Sequence, residues 1–213
     1  GARRAGMLEA AGPVLNPADG ARPDVPLFAE DGRTQLGTGF RELTADGRLV
    51  WRTGPRERLT LAAYVYRQYD APRTDQCPPP SGRTDECLRF EEQFRTLVYT
   101  GWDAEPGAPL ARTVRARLSW QNQHERRRGE RPASYVVSTG VDDVDTLGMS
   151  VVLTAAPLPV AGRPLELSYG MDAALDGVHS RAALGFTDVD VEVARSRGQY
   201  LEGSRYLTGG LFL

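Results

Sequence analysis

The sequence predicts an all-β protein made of long antiparallel hairpins. Three observations lead there. Apolar and polar residues alternate through most of the chain, the alternating runs exceed the usual strand, and turn-forming residues separate them in a regular rhythm. Successive side chains of a strand point to opposite faces, so alternation at period two gives one apolar and one polar face. Strands in soluble proteins are usually about 5–6 residues long.

Residues 1–36 are rich in Gly, Pro, Ala and charge, hold no sustained period, and read as loop or weak strand. The repeating design occupies 37–213. "RELTADGRLVWRT" (41–53) sets Leu43, Ala45, Leu49 and Trp51 on one face, and "GPRE" (54–57) is a tight turn. "RLTLAAYVYRQYD" (58–70) returns with Leu59, Leu61, Ala63 and Val65 in phase. A polar loop, 71–88, leads to "RFEEQFRTLVYTGWD" (89–103), and "AEPGAPLA" (104–111) turns the chain into "TVRARLSWQNQHER" (113–126). There Val114, Ala116, Leu118 and Trp120 oppose Arg115, Arg117, Ser119 and Gln121. A second long loop is expected over 127–140. "DVDTLGMSVVLTAA" (143–156) and "PLELSYGMDAAL" (164–175) form the next hairpin about the short turn "PLPVAGR" (157–163). A third long loop is expected over 176–203, before a last partial strand at 205–213.

Composition narrows the classes. The chain has 213 residues, 40% hydrophobic and 25% charged, with a formal net charge of -2. That balance gives no pull toward nucleic acid. All 26 basic residues are arginine, so every cationic side chain can fork onto a carboxylate. No apolar run is long enough for a transmembrane helix. Cys77 and Cys87 bracket "PPPSGRTDE". They read either as two free thiols or as a disulfide pinning an exposed loop. The disulfide fits best, implies an oxidising compartment, and gains about 2–3 kcal/mol for so short a loop.

The rhythm of connections decides between β architectures. Short turns alternate with long loops, which a soluble sandwich with its short, evenly spaced strands has no reason to do. A transmembrane β-barrel has short turns on one side and long loops on the other. Each of its strands needs about 9–11 residues to cross. Trp51, Trp102 and Trp120, with Tyr99 and Tyr169, stand where aromatic girdles would edge such an apolar band. No sheet edge can stay unpaired in lipid, so about seven strands form an arc of a larger barrel. Both chain ends are expected to be cuts within a longer protein.

Six stretches carry a resemblance: "YRQYDAPRTD" (66–75), "RFEEQFRTLVYTGW" (89–102), "LSWQNQHERRR" (118–128), "VDDVDTLGM" (141–149), "LSYGMDAALDGVHS" (167–180) and "GSRYLTGGLFL" (203–213). In order and spacing the chain resembles a middle section of the barrel of a TonB-dependent outer-membrane receptor. The resemblance covers about residue 37 to the end. It implies a barrel of about 22 strands whose lumen is wide enough to need a plug. It also implies the outer membrane of a Gram-negative bacterium and energised uptake of a scarce nutrient: a ferric siderophore, haem, cobalamin or an oligosaccharide. The implied partners are outer-membrane lipid, the small-molecule or metal-chelate ligand, and the TonB complex, engaged through a plug region not visible in these residues. Expected ligand contacts are Tyr66, Gln68, Tyr69, Arg73, Gln123, Arg126 and Arg127, because Tyr and Arg concentrate binding energy.

No enzyme chemistry, cofactor or resident metal is expected. His124 and His179 have no partner at ligand-like spacing and read as loop residues near the membrane surface. Asp176, His179 and Ser180 sit too close in sequence for a nucleophile, base and orienter. "ERRRGE" (125–130) reads as a solvated loop, its arginines paired by Glu125 and Glu130 rather than offered to nucleic acid. Two other architectures compete: a different outer-membrane barrel such as a passive porin, and a soluble all-β carbohydrate-binding or adhesion domain.

Overall fold

A computed structural model describes residues 2–23, 28–73, 87–131, 134–186, 191–195 and 197–213. The chain is all-β. In order, β1 is Ala2–Ala5, β2 Phe40–Gly54, β3 Glu57–Pro72, β4 Cys87–Ala104, β5 Thr113–Arg131, β6 Val136–Thr154, β7 Leu158–Val160, β8 Arg163–Leu165, β9 Ser168–Phe186, β10 Val191–Ala194 and β11 Ser204–Phe212. Nine of these form one antiparallel sheet in the order β1-β2-β3-β4-β5-β6-β9-β10, with β11 also on β9. The small β7–β8 hairpin turns at Ala161 and Gly162, both at positive φ (48° and 74°), the backbone of a primed hairpin turn.

The sheet is a single curtain, unclosed among the described residues. Its two faces differ in chemistry. Cross-strand partners share a face, so each register row can be read across the sheet. One row runs Leu49, Leu61, Thr100, Leu118, Met149 and Ala173. The next toward the β2–β3 turn runs Trp51, Leu59, Trp102, Ala116, Val151 and Met171. Rows of the other face run Arg48–Ala62–Tyr99–Ser119–Gly148–Ala174 and Asp46–Tyr64–Leu97–Gln121–Thr146–Asp176.

The apolar face lies open. Trp51 is 62% exposed, Leu118 50% and Leu147 50%, and no second layer covers them among the described residues. Soluble monomers rarely expose contiguous apolar patches above a few hundred Å². The tryptophans edge this face. Trp51 and Trp102 share a row near the short turn between β2 and β3, and Trp120 stands in the last apolar row at the opposite margin. There its indole N–H donates to Asp145 Oδ1 at 3.1 Å, out of the apolar band. Tyr169 caps the lower margin and donates to Leu110 O. Tyr99, expected in the same belt, faces the polar side and stacks on Tyr64 with ring centroids 6.3 Å apart.

Two expected loops are strands instead. β5 runs to Arg131 and β6 starts at Val136, so the expected loop at 127–140 is mostly ladder. β9 continues to Phe186, which replaces the first part of the loop expected over 176–203. Polar residues on both faces erase the period, yet backbone pairing continues and cross-strand ion pairs hold it. Arg126 reaches Glu91 at 3.0 Å and Glu92 at 2.8 Å. The expected turn 157–163 is part of the β7–β8 hairpin, so the β9 strand begins at Ser168 rather than 164. Of the loop expected over 71–88, Ala71 and Pro72 belong to β3 and Cys87 and Leu88 to β4, and 74–86 lie outside the described residues. Cys87 is disulfide-bonded; Cys77 lies outside the described residues.

Candidate functional site

β9 has an interrupted neighbour. β10 pairs with its upper end (Val191 with Phe186, Ala194 with Ala183), and β11 resumes at Ser204 with Val178. Between them the chain leaves the ladder as a strap, described at 195 and 197–203. Arg195 N donates to Ala182 O at 2.8 Å and Gly203 N to Val178 O at 3.0 Å, so both strap ends are tied to β9. The strap folds onto the polar face, where Gln199 and Tyr200 roof a groove of about 600 Å³.

The groove is built from alternate residues of four strands. β3 gives Tyr66, β4 gives Gln93 and Arg95, β5 gives Gln123 and Glu125, and β6 gives Asp142 and Val144, with Phe94 and His124 contributing to the lining between them. Register places them in two adjacent rows: Gln68–Gln93–Glu125–Asp142–Ser180 and Tyr66–Arg95–Gln123–Val144–Val178. Asp142 anchors the back wall. Its side chain is only 8% exposed and stands 2.9 Å from Arg127 Nη2, and it accepts a hydrogen bond from Ser180 Oγ. Arg127 also reaches Glu125 at 3.0 Å and donates to Gln199 Oε1 at 2.5 Å, which fastens the strap to β5. Ser180 is 1% exposed, and its Oγ accepts from Tyr200 N at 3.1 Å.

Glu202 closes the strap's far end. It accepts from Ser180 N at 2.8 Å and meets His179 Nδ1 at 2.9 Å. These contacts, the His179 ring first, hold its carboxyl below the usual glutamate range. Gly198 fits only as glycine. A Cβ there would clash with Ser180 Oγ and stand 2.7 Å from Arg181 N.

The mouth of the groove keeps free polar groups. Among the described residues Arg95 has no ion-pair partner and the Gln123 amide no hydrogen-bond partner. Tyr66 donates weakly to Glu42 at 3.3 Å. Such a mixed wall of guanidinium, amide and phenol can hydrogen-bond and stack on an oxygen-rich ligand. The Ser180 hydroxyl that donates to Asp142 is buried behind this wall, and no cluster of three metal-binding side chains occurs among the described residues.

The seven expected contacts divide. Tyr66 and Gln123 line the groove, Arg127 braces its wall, and Gln68 stands one row above on the same face. Tyr69 and Arg126 sit on the opposite face, as parity requires. They join a cross-strand series there: Arg41 over Tyr69 at 5.5 Å, Tyr69 edge-on to Phe94 at 5.1 Å, and Phe94 stacked on His124 at 5.2 Å. Arg73 follows β3, and its N–H donates to Leu88 O. The two histidines are strand residues, not loop residues. His124 lies between Asp143 (2.7 Å) and Glu92 (3.1 Å). Of the "ERRRGE" arginines, Arg127 pairs with Glu125 and Arg128 with Glu130 as expected, whereas Arg126 pairs across strands with Glu91 and Glu92, and all three lie within β5 rather than a loop. Sequence reading missed Gln93, Arg95, Asp142, Gln199 and Tyr200. The first three share the phase of Gln123 across neighbouring strands, a detectable signal, whereas the strap had none.

Comparison with family models, curated proteins and solved structures finds no match for the chain.

Proposed function

We propose that the chain is an arc of a transmembrane β-barrel of the outer membrane. In this reading the barrel is a TonB-dependent receptor that takes up a scarce nutrient. The observation that carries the barrel is the open apolar face, edged by tryptophans on both margins and backed by a polar face. Four successive outward positions, Val114 to Trp120, cover about 20 Å of strand. With the girdle residues this suits a band of about 25 Å. Water-filled lumen explains the other face, where Arg117, Asp103, Asp142 and Arg127 would be too costly against lipid. The groove under the strap supports capture rather than passive flow, and the ordered motifs favour the receptor family. A ferric chelate, haem, cobalamin or an oligosaccharide is the cargo class.

The test is depth-resolved fluorescence quenching. The longer barrel of which this chain is an arc is refolded into vesicles whose lipids carry bromine at defined acyl positions. Trp51, Trp102 and Trp120 are each left as the sole tryptophan in turn. Lipid-facing girdles give strong quenching by shallow bromines at all three. Unquenched emission from a chain that dissolves without detergent would overturn the membrane reading and favour a soluble all-β domain. Cargo capture is read separately, by titrating ferric chelates, haem, cobalamin and oligosaccharides. Tyr66→Ala should weaken the cargo that binds by about tenfold, roughly 1.4 kcal/mol. Failure of all four classes would leave a passive barrel.

A further inference from the structure

We infer that the turn end of the polar face holds a second site, a row of arginines that docks an acidic peptide segment. Arg52 at the β2 register shift, Arg56 in the β2–β3 turn, Arg58 on β3 and Arg115 on β5 line one cleft of about 490 Å³. Only three carboxylates face them, Glu57, Asp103 and Glu105. Asp103 is already shared, with Oδ2 held by Arg58 at 3.0 Å and Oδ1 by Arg117 at 2.7 Å. Gly101 makes this possible, since a Cβ there would lie 2.9 Å from the Arg117 side chain as it bends toward Asp103. Glu57 accepts from Thr53 Oγ1 at 3.2 Å. Arg52, Arg56 and Arg115 have no ion pair among the described residues. In a chain of net charge -2 this is a local surplus of cations, exposed and unspent.

The spacing sets the kind of anion. Arg58, Asp103 and Arg115 occupy one register row, and Arg52 lies on β2 in the register shift between Trp51–Leu59 and Gly54–Glu57, lining the same cleft. The row crosses β2 to β5, three inter-strand steps, or about 14 Å. One phosphate or carboxylate satisfies one guanidinium fork. An extended peptide presents alternate side chains about 6.5–7 Å apart on one side. Acidic residues at i, i+2 and i+4 would therefore span the row. This site lies on the polar face whether or not the sheet closes around a lumen, so it stands apart from the uptake reading.

The experiment uses the full 213-residue chain in detergent micelles and a fluorescein-labelled peptide of alternating Asp and Gly. Anisotropy should show saturable binding that weakens as salt rises. It should fall about tenfold in Arg52→Glu/Arg115→Glu, a pair of exposed substitutions whose folding is checked by circular dichroism. An Asn-Gly peptide of the same length should not bind. Absent peptide binding, unchanged affinity in the variant, equal binding of the Asn-Gly peptide, or binding of inorganic triphosphate without the peptide would each overturn the proposal.

Discussion

Leu118 offers the sharpest test of which face meets lipid. It is 50% exposed, lies in register with Thr100 and Met149, and sits between the row of Trp102 and the row of Trp120. It is therefore the middle of the apolar band on β5. Arginine at the midplane of a barrel's lipid face costs about 2–4 kcal/mol, falling to about 0–1 near the interfaces. Leu118→Arg should thus lower stability in vesicles by about 3 kcal/mol, roughly a hundredfold in the folded-to-unfolded ratio. At an exposed site of a soluble protein the same change stays within about 0.5 kcal/mol. Gln121, three residues on and opposite Leu97 and Thr146, is the matched control on the other face. Gln121→Arg should be nearly neutral. The assay is urea unfolding in phospholipid vesicles followed by tryptophan emission. A neutral Leu118→Arg, or a Gln121→Arg equally costly, would refute the assignment of faces.

Other perturbations probe the groove and the N-terminal region. Arg127→Met strands the Asp142 carboxylate; removing one partner of a buried pair costs about 3–5 kcal/mol. The 24% exposure of Arg127 reduces the expectation to about 2 kcal/mol by urea unfolding, with part restored by adding Asp142→Asn. Glu202 is held below its ordinary 4.5 by His179 and then the Ser180 N–H, so the strap contact is complete above that value and is lost as pH falls through the lowered one. Protection of the Tyr200 N–H from hydrogen exchange, relative to its intrinsic rate at each pH, should fall on acidification, and Glu202→Gln should abolish that dependence. Asp31 is pushed from 3.8 to about 2, chiefly by the Thr34 hydroxyl and then by the Thr34 and Arg33 N–H groups. Its turn should persist above 3.8 and open only as pH approaches about 2, seen as loss of the Thr34 amide shift by NMR. Gly198→Ala should lift the strap, raising protease cleavage within 197–203 while the β-sheet circular dichroism is kept.

Much of this was legible because alternation is a local signal. Leu49, Trp51, Leu118 and Met149 fall on one face from parity alone, and parity would also have separated Tyr66 from Tyr69 and Arg127 from Arg126. Strand ends were less legible. In 127–131 both faces are polar, and in 136–140 Val136 and Val137 stand on opposite faces, so no period marks the ladder, and its hold comes from non-local ion pairs such as Arg126 with Glu91 and Glu92. Bulges compound this. Asp70 sits at φ 59°, and the β4–β5 register shifts between Phe90 and Glu92, offsets that no run of residues announces. The strap is the extreme case. Gln199 and Tyr200 reach the groove through contacts with Arg127 and Ser180, which lie far away in sequence.

The broken neighbour of β9 also bears on how the chain can change length. In an uninterrupted hairpin, one inserted residue would turn every later side chain to the other face. Here the register of β11 is fixed by its own pairs, Ser204 with Val178 through Phe212 with Gly170, and that of β10 by Val191 with Phe186. Ten steps along the return strand, Ala194 to Ser204, match five along β9, Ala183 to Val178. The slack between them absorbs additions or deletions without disturbing either ladder. The strap is thus a splice point at which new sequence can be laid over the groove while the wall beneath it keeps its pattern.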